Sequence, residues 1–93
     1  MYYHLVVKEI NEDQEYSYDY LIEAHSMAEA KEIAEDKVKT FYDYEDVRKN
    51  EEGWYEFFYG NILVGVTSLK KTTKKAFIAE YLSAVTLGPL NKK

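Results

Sequence analysis

An α+β domain is predicted by three patterns in the sequence: a single antiparallel sheet of four to five strands with two helices, in the order ββα(β)ββα. Segments 2–10 and 16–24 alternate apolar and polar residues with a period of two. Segments 27–41 and 73–86 repeat their apolar residues at helical spacing. An aromatic run at 54–59 and an apolar run at 62–69, separated by Gly60-Asn61, read as a second hairpin. The 93 residues are expected to form one domain, 1–93, without linker, low-complexity tract or long repeat.

In the first strand Tyr3, Leu5 and Val7 share one face and His4, Val6 and Lys8 the other. Asn11-Glu12-Asp13-Gln14 reads as the turn of an antiparallel hairpin. In the returning strand Tyr16, Tyr18, Tyr20, Ile22 and Ala24 fall on one face, with Leu21 an exception on the polar side. Ser26 with Glu29 three residues later forms a capping box, which starts a helix over about 27–41. Lys37 and Lys39 favour its C-terminal end. A short strand is expected within 47–50, turning at Glu51-Glu52-Gly53. The strand 62–69 is the most apolar and is expected to be central, with Gly65 marking a bulge or a close backbone approach. A second helix over 73–86 carries Phe77, Ile78, Tyr81, Leu82 and Val85, ends at Gly88-Pro89 and leaves a frayed tail at 90–93. Both helices are expected on one face of the sheet.

Several functions are excluded or left without a motif. The chain has no cysteine, which rules out disulfides, thiolate zinc sites and a cysteine nucleophile. No apolar run approaches the roughly 18 residues of a membrane span. The start, Met1-Tyr2-Tyr3-His4, has no secretory pattern, so a cytoplasmic protein is expected, in the host cell if the chain is phage-encoded. His4 and His25 lack metal-ligand spacing, Ser17, Ser26, Ser68 and Ser83 lack a nucleophile frame, and the four glycines lack a phosphate-binding spacing. A non-enzymatic protein with no cofactor and no metal is the expectation.

Charge is divided along the chain. Residues 1–60 hold 6 Lys/Arg against 16 Asp/Glu, whereas residues 61–93 hold 6 Lys against the single acid Glu80. Tyrosine is abundant, at 10 residues, and its amphipathic ring suits interfaces as well as thin cores. Two kinds of candidate surface follow. The acids form two clusters, one at the first turn (Glu12, Asp13, Glu15) and one over the connection after the first helix (Asp43, Glu45, Asp46) and the Glu51-Glu52 turn. The second, interleaved with Tyr42 and Tyr44, suits a basic protein groove, and Tyr42, Asp43, Tyr44, Glu45, Asp46, Glu12 and Asp13 are the partner-binding candidates. Lys70, Lys71, Lys74 and Lys75 flank the start of the second helix, where they oppose its dipole; they suit nucleic acid or an acidic partner. Ordinary solvated loops account for either cluster as well. A homodimer would cover exposed sheet edges, and the opposite charges of the two halves would assist it.

The stretches Lys8-Glu9-Ile10, Ile22-Glu23-Ala24-His25-Ser26-Met27, Ala30-Lys31 and Ile33-Ala34, followed by Gly53-Trp54, resemble small phage and mobile-element anti-CRISPR proteins that inhibit type I-F surveillance complexes. The likeness covers roughly residues 3–68 and runs through fold-forming positions. The second helix and the lysine cluster have no counterpart in it. The resemblance implies a short, non-enzymatic inhibitor that binds a host Cas subunit stoichiometrically; it assigns no contact residue. The alternative is a small nucleic-acid-binding accessory domain that uses Lys70–Lys75.

Overall fold

The computed structural model describes residues 1–80 and 85–87. The strands are β1 (Tyr2–Asn11), β2 (Gln14–Glu23), β3 (Arg48–Lys49), β4 (Tyr55–Phe57), β5 (Ile62–Thr72) and β6 (Val85–Leu87); the helices are α1 (Met27–Lys39) and α2 (Lys74–Glu80). The strands form one sheet in the order β3-β4-β5-β1-β2-β6. The first five pair antiparallel, giving the α+β fold predicted, with β5 and β1 at its centre. The short β3 at 48–49 confirms a strand within 47–50.

One face of the sheet packs on α1. Alternation along β1 directs Tyr3, Leu5 and Val7 inward, and Ile22, Phe57 and Val64 join them from neighbouring strands. The helix contributes Ala30, Ile33, Ala34 and Val38, spaced to share one stripe. Its start follows the capping box: Ser26 Oγ accepts from the Glu29 N–H at 3.2 Å, and the Glu29 carboxylate accepts from the His25 N–H at 2.7 Å. Met27, expected in the stripe, is exposed, and the helix stops at Lys39 with Thr40 as its C-cap.

Three expectations need correction. First, α2 lies on the sheet face opposite α1: the Phe77 ring meets His4 edge-on at 5.1 Å, and His4 belongs to the other parity of β1. Leu21, directly opposite His4, is buried on that face, which explains its departure from the polar pattern. Second, the second helix does not reach 86. Its described residues are Lys74–Glu80, Ile78 is exposed, and Val85–Leu87 forms a strand parallel to Tyr20–Ile22 of β2. Tyr81, Leu82, Gly88-Pro89 and the tail 90–93 lie outside the described residues.

Third, the β4–β5 connection is not a two-residue Gly60-Asn61 turn. Phe57 pairs with Ile62, so four residues form the loop, and Phe58, Tyr59 and Gly60 are all left-handed, at φ +55°, +61° and +86°. The bulge in β5 falls at Thr67, where the register with β1 shifts between Val6 and Val7. Gly65 serves the other predicted purpose. A Cβ there would lie 2.5 Å from the Trp54 ring, so the indole rests directly on the backbone of β5.

Candidate acidic aromatic interface

The register places the two candidate surfaces at opposite ends of the sheet. At one end Asn11 pairs with both Gln14 and Ile62, which brings the β1–β2 turn and the β4–β5 loop side by side. At the other end Tyr3 pairs with Lys71 and His4 with Lys70. Tyr3 and Asn11 are eight residue steps apart along β1, roughly 27 Å at the rise of an antiparallel strand.

The acidic end is held by rings. After α1 the chain crosses the end of the sheet through Phe41, which packs on Tyr18 at 5.2 Å, and Tyr42, which meets Phe57 at 5.5 Å and Phe58 at 5.7 Å. Tyr44 continues the row against Phe58 at 4.6 Å and reaches Tyr59 at 6.3 Å. These centroid separations are those of tilted and edge-to-face aromatic pairs.

Beneath the row lies Glu9, only 2% exposed. The Tyr18 hydroxyl donates to its carboxylate at 2.8 Å, and the Tyr42 hydroxyl donates to its other oxygen. A buried carboxylate needs such donors, because losing water without them is costly. Burial, followed by the bond to and the charge of Glu9, pushes both phenols up to about 12. Glu9 therefore fastens the 42–46 connection to the sheet.

The predicted partner-binding residues play unequal parts in this frame. Tyr42 is half-buried and its hydroxyl is committed to Glu9, which makes it a support. Asp43 and Glu45 are exposed and have no ionic partner among the described residues. Tyr44 is half-buried under Tyr59. Asp46 pairs with Arg48 at 3.5 Å, and the two line a cleft of about 250 Å³ with Glu56, Tyr59 and Gly60. Glu12 and Asp13 are exposed at the same end but on the β1–β2 side, with Glu12 left-handed at φ +59°. Glu51 and Glu52 lie apart, on the β3–β4 turn that Asn50 organises by accepting from the Glu52 and Trp54 N–H groups.

The four lysines are brought together only loosely. Lys70 and Lys71 alternate across the end of β5, and Lys74 and Lys75 open α2. All four are exposed, and none forms an ion pair among the described residues.

Other polar contacts are structural clamps. Glu35 of α1 accepts from Lys49 of β3 at 2.7 Å and from the Tyr55 hydroxyl of β4; these bonds hold its carboxyl below the usual range. His4 pairs with Asp19 at 2.7 Å and His25 with Glu29 at 2.9 Å. Among the described residues no three His, Asp or Glu side chains converge as metal ligands, and no helix is long and apolar enough to cross a membrane.

Sequence reasoning missed Glu9, Phe58 and Tyr59. The first was legible by parity, since it continues the inward Tyr3-Leu5-Val7 series. The other two were hidden because bulky residues rarely adopt left-handed backbone. Compared with known proteins, the chain matches no family model, no curated protein and no solved structure.

Proposed function

We propose that the chain is a non-enzymatic binding protein that engages a basic protein surface through its acidic aromatic end. Following the resemblance in residues 3–68, the partner is a Cas subunit of a host surveillance complex, which the chain inhibits by occupying it. The observation that carries the reading is Tyr59. It is 91% exposed, on a loop whose two aromatic residues are held left-handed. Each such residue costs of order 1–3 kcal/mol, a cost tolerated where it positions a group for use. Beside it stand Tyr44, its ring 6.3 Å away, and the cleft residues Asp46, Glu56 and Arg48. An exposed aromatic next to carboxylates complements arginine and lysine, through ring contact as well as charge.

The test is a titration of purified type I-F surveillance complex with this protein, reading binding of fluorescent target DNA. Loss of DNA binding that completes at a fixed molar ratio is expected. Undiminished DNA binding at excess protein would overturn the Cas assignment.

The four exposed lysines, which form no ion pair among the described residues, support a second reading, nucleic-acid binding at the opposite end. That reading requires affinity for DNA or RNA alone, falling steeply with salt, and a smaller salt slope after the lysines are neutralised.

A further inference from the structure

We propose that the outer edge of β5 over Val66–Lys71 is a docking site for an extended acidic segment of a partner protein, added antiparallel as a further strand in line with β4. It is a second site, separate from the acidic aromatic surface, and it stands without that reading.

Which backbone groups of β5 remain open follows from the register. Asn11 and Gln14 flank a two-residue turn, so theirs is a hydrogen-bonded pair, and alternate residues of β1 face β2 from there. Lys8, Val6 and His4 therefore face β5, where they engage Gly65, Ser68 and Lys70. Val64 points the other way and is taken by Tyr55 of β4, as the same alternation requires. The pairing with β4 covers only Ile62–Val64. The bulge at Thr67 delays the alternation by one residue, so Val66, Leu69 and Lys71 direct their N–H and C=O groups outward. Among the described residues no backbone hydrogen bond reaches these outward groups. Such a row is a template for another strand.

The side chains beside this edge select what is added. Val66, Leu69 and Lys71 lie opposite Val7, Leu5 and Tyr3, so all three stand on the α1 face. Val66 and Leu69 join Lys31, Ala34 and Glu35 of α1 around a groove of about 240 Å³, and Val66 is 38% exposed. Residues of an added strand that pair with Val66 and Leu69 point into this groove, because paired residues share a face of the sheet. The groove is charged unevenly. Glu35 is already held by Lys49 and Tyr55, at the β4 end. Lys31, Lys70 and Lys71 are exposed and form no ion pair among the described residues.

The occupant that complements this edge carries aliphatic residues opposite Val66 and Leu69 and carboxylates opposite Lys70 and Lys71. Backbone hydrogen bonds supply affinity in this mode, while the groove and the lysines supply selectivity. A second copy of β5 does not suit the edge. Pairing about Leu69 would bring two copies of Lys70 and Lys71 together. Pairing the second copy's Leu69 with Val66 would carry its Lys71 onto Val64, which Tyr55 already occupies.

The probe is the acetylated, amidated peptide Glu-Asp-Val-Thr-Val, whose acids fall opposite Lys71 and Lys70 and whose valines fall opposite Leu69 and Val66. Amide hydrogen exchange followed by NMR reads the edge directly. In the free protein the amides of Val66, Leu69 and Lys71 are expected to exchange fast, while those of Gly65, Ser68 and Lys70 are protected. The peptide is expected to protect the first three, and Lys-Lys-Val-Thr-Val is expected to leave them fast. Lys31→Glu combined with Lys71→Glu should weaken binding of the acidic peptide roughly tenfold. Protection of all six amides in the free protein would overturn the proposal, as would no change at about 1 mM acidic peptide. So would equal protection by the two peptides, or protection that develops only as the free protein is concentrated, which would assign the edge to a second copy. The comparison of the two peptides holds even if the double variant fails to fold.

Discussion

At the Asn11 end of the sheet the acidic side chains stand on packed rings and a buried carboxylate, whereas at the Tyr3 end the lysines stand on a strand terminus and a helix of 7 residues. The ends carry opposite charge, yet only the acidic one is pre-organised. Its aromatic row fixes the 42–46 connection and the 58–61 loop against each other before any partner arrives, which lowers the ordering cost of binding. The lysines keep their rotamer freedom and act as a diffuse field.

Truncating a ring at each end measures this difference most directly. Phe57 is fully buried and touches Tyr42, so Phe57→Ala is expected to lose about 3–5 kcal/mol in urea denaturation. Phe77→Ala, on the short α2, should lose clearly less because the helix can settle into the space. Equal losses would mean that the lysine end is as tightly built as the acidic one.

Between the ends, Gly65 carries the Trp54 ring. Gly65→Ala should cost about 1–3 kcal/mol and shift the tryptophan emission. Adding Trp54→Ala should recover part of the loss, a non-additivity that a double-mutant cycle reads. Additive effects would show that the ring does not rest there.

Alkaline pH probes the phenols. Tyr18 and Tyr42 at the acidic end, and Tyr55 beside Glu35, are pushed up to about 12, first by burial and then by their carboxylate partners. The folded state therefore holds these protons more tightly than the unfolded chain does. Their stabilising contribution is complete below pH 10 and is lost as pH rises from about 10 through about 12. Stability followed across that window should fall, and Tyr42→Phe should make the fall shallower. An unchanged slope in the variant would remove Tyr42 from the account.

The smallest expected effect on stability has the opposite sign. Tyr59→Gly relieves a left-handed tyrosine and should stabilise the fold by about 1 kcal/mol while weakening partner binding. A destabilised variant would mean that the Tyr59 ring packs rather than projects.

These contrasts also explain what the sequence disclosed. The capping box at Ser26 and Glu29, the alternation of Tyr3, Leu5 and Val7, and the centrality of 62–69 were legible because local pattern and tertiary burial agree there. Glu9 obeyed the same parity but, as a carboxylate, was not placed on the inward face. Leu21 seemed out of phase because one sheet face was assumed to be bare, when α2 covers it. The strand at 85–87 was read as helix because its apolar residues continue the helical spacing of Phe77 and Ile78. The 58–60 turn was misplaced because turn chemistry points to Gly60 and Asn61, not to Phe58 and Tyr59. Grouping Asp43 and Glu45 with Glu12 and Asp13 at one end follows from strand register, which no local motif records.

The central claim is that the acidic end, not the lysine end, makes the functional contact. Two charge-reversed proteins compared in the same surveillance-complex titration test it: one with Asp43, Glu45 and Asp46 changed to Lys, the other with Lys70, Lys71, Lys74 and Lys75 changed to Glu. With folding of both verified by circular dichroism, the account predicts that the first loses inhibition and the second keeps it. Inhibition retained by the first and lost by the second would contradict it.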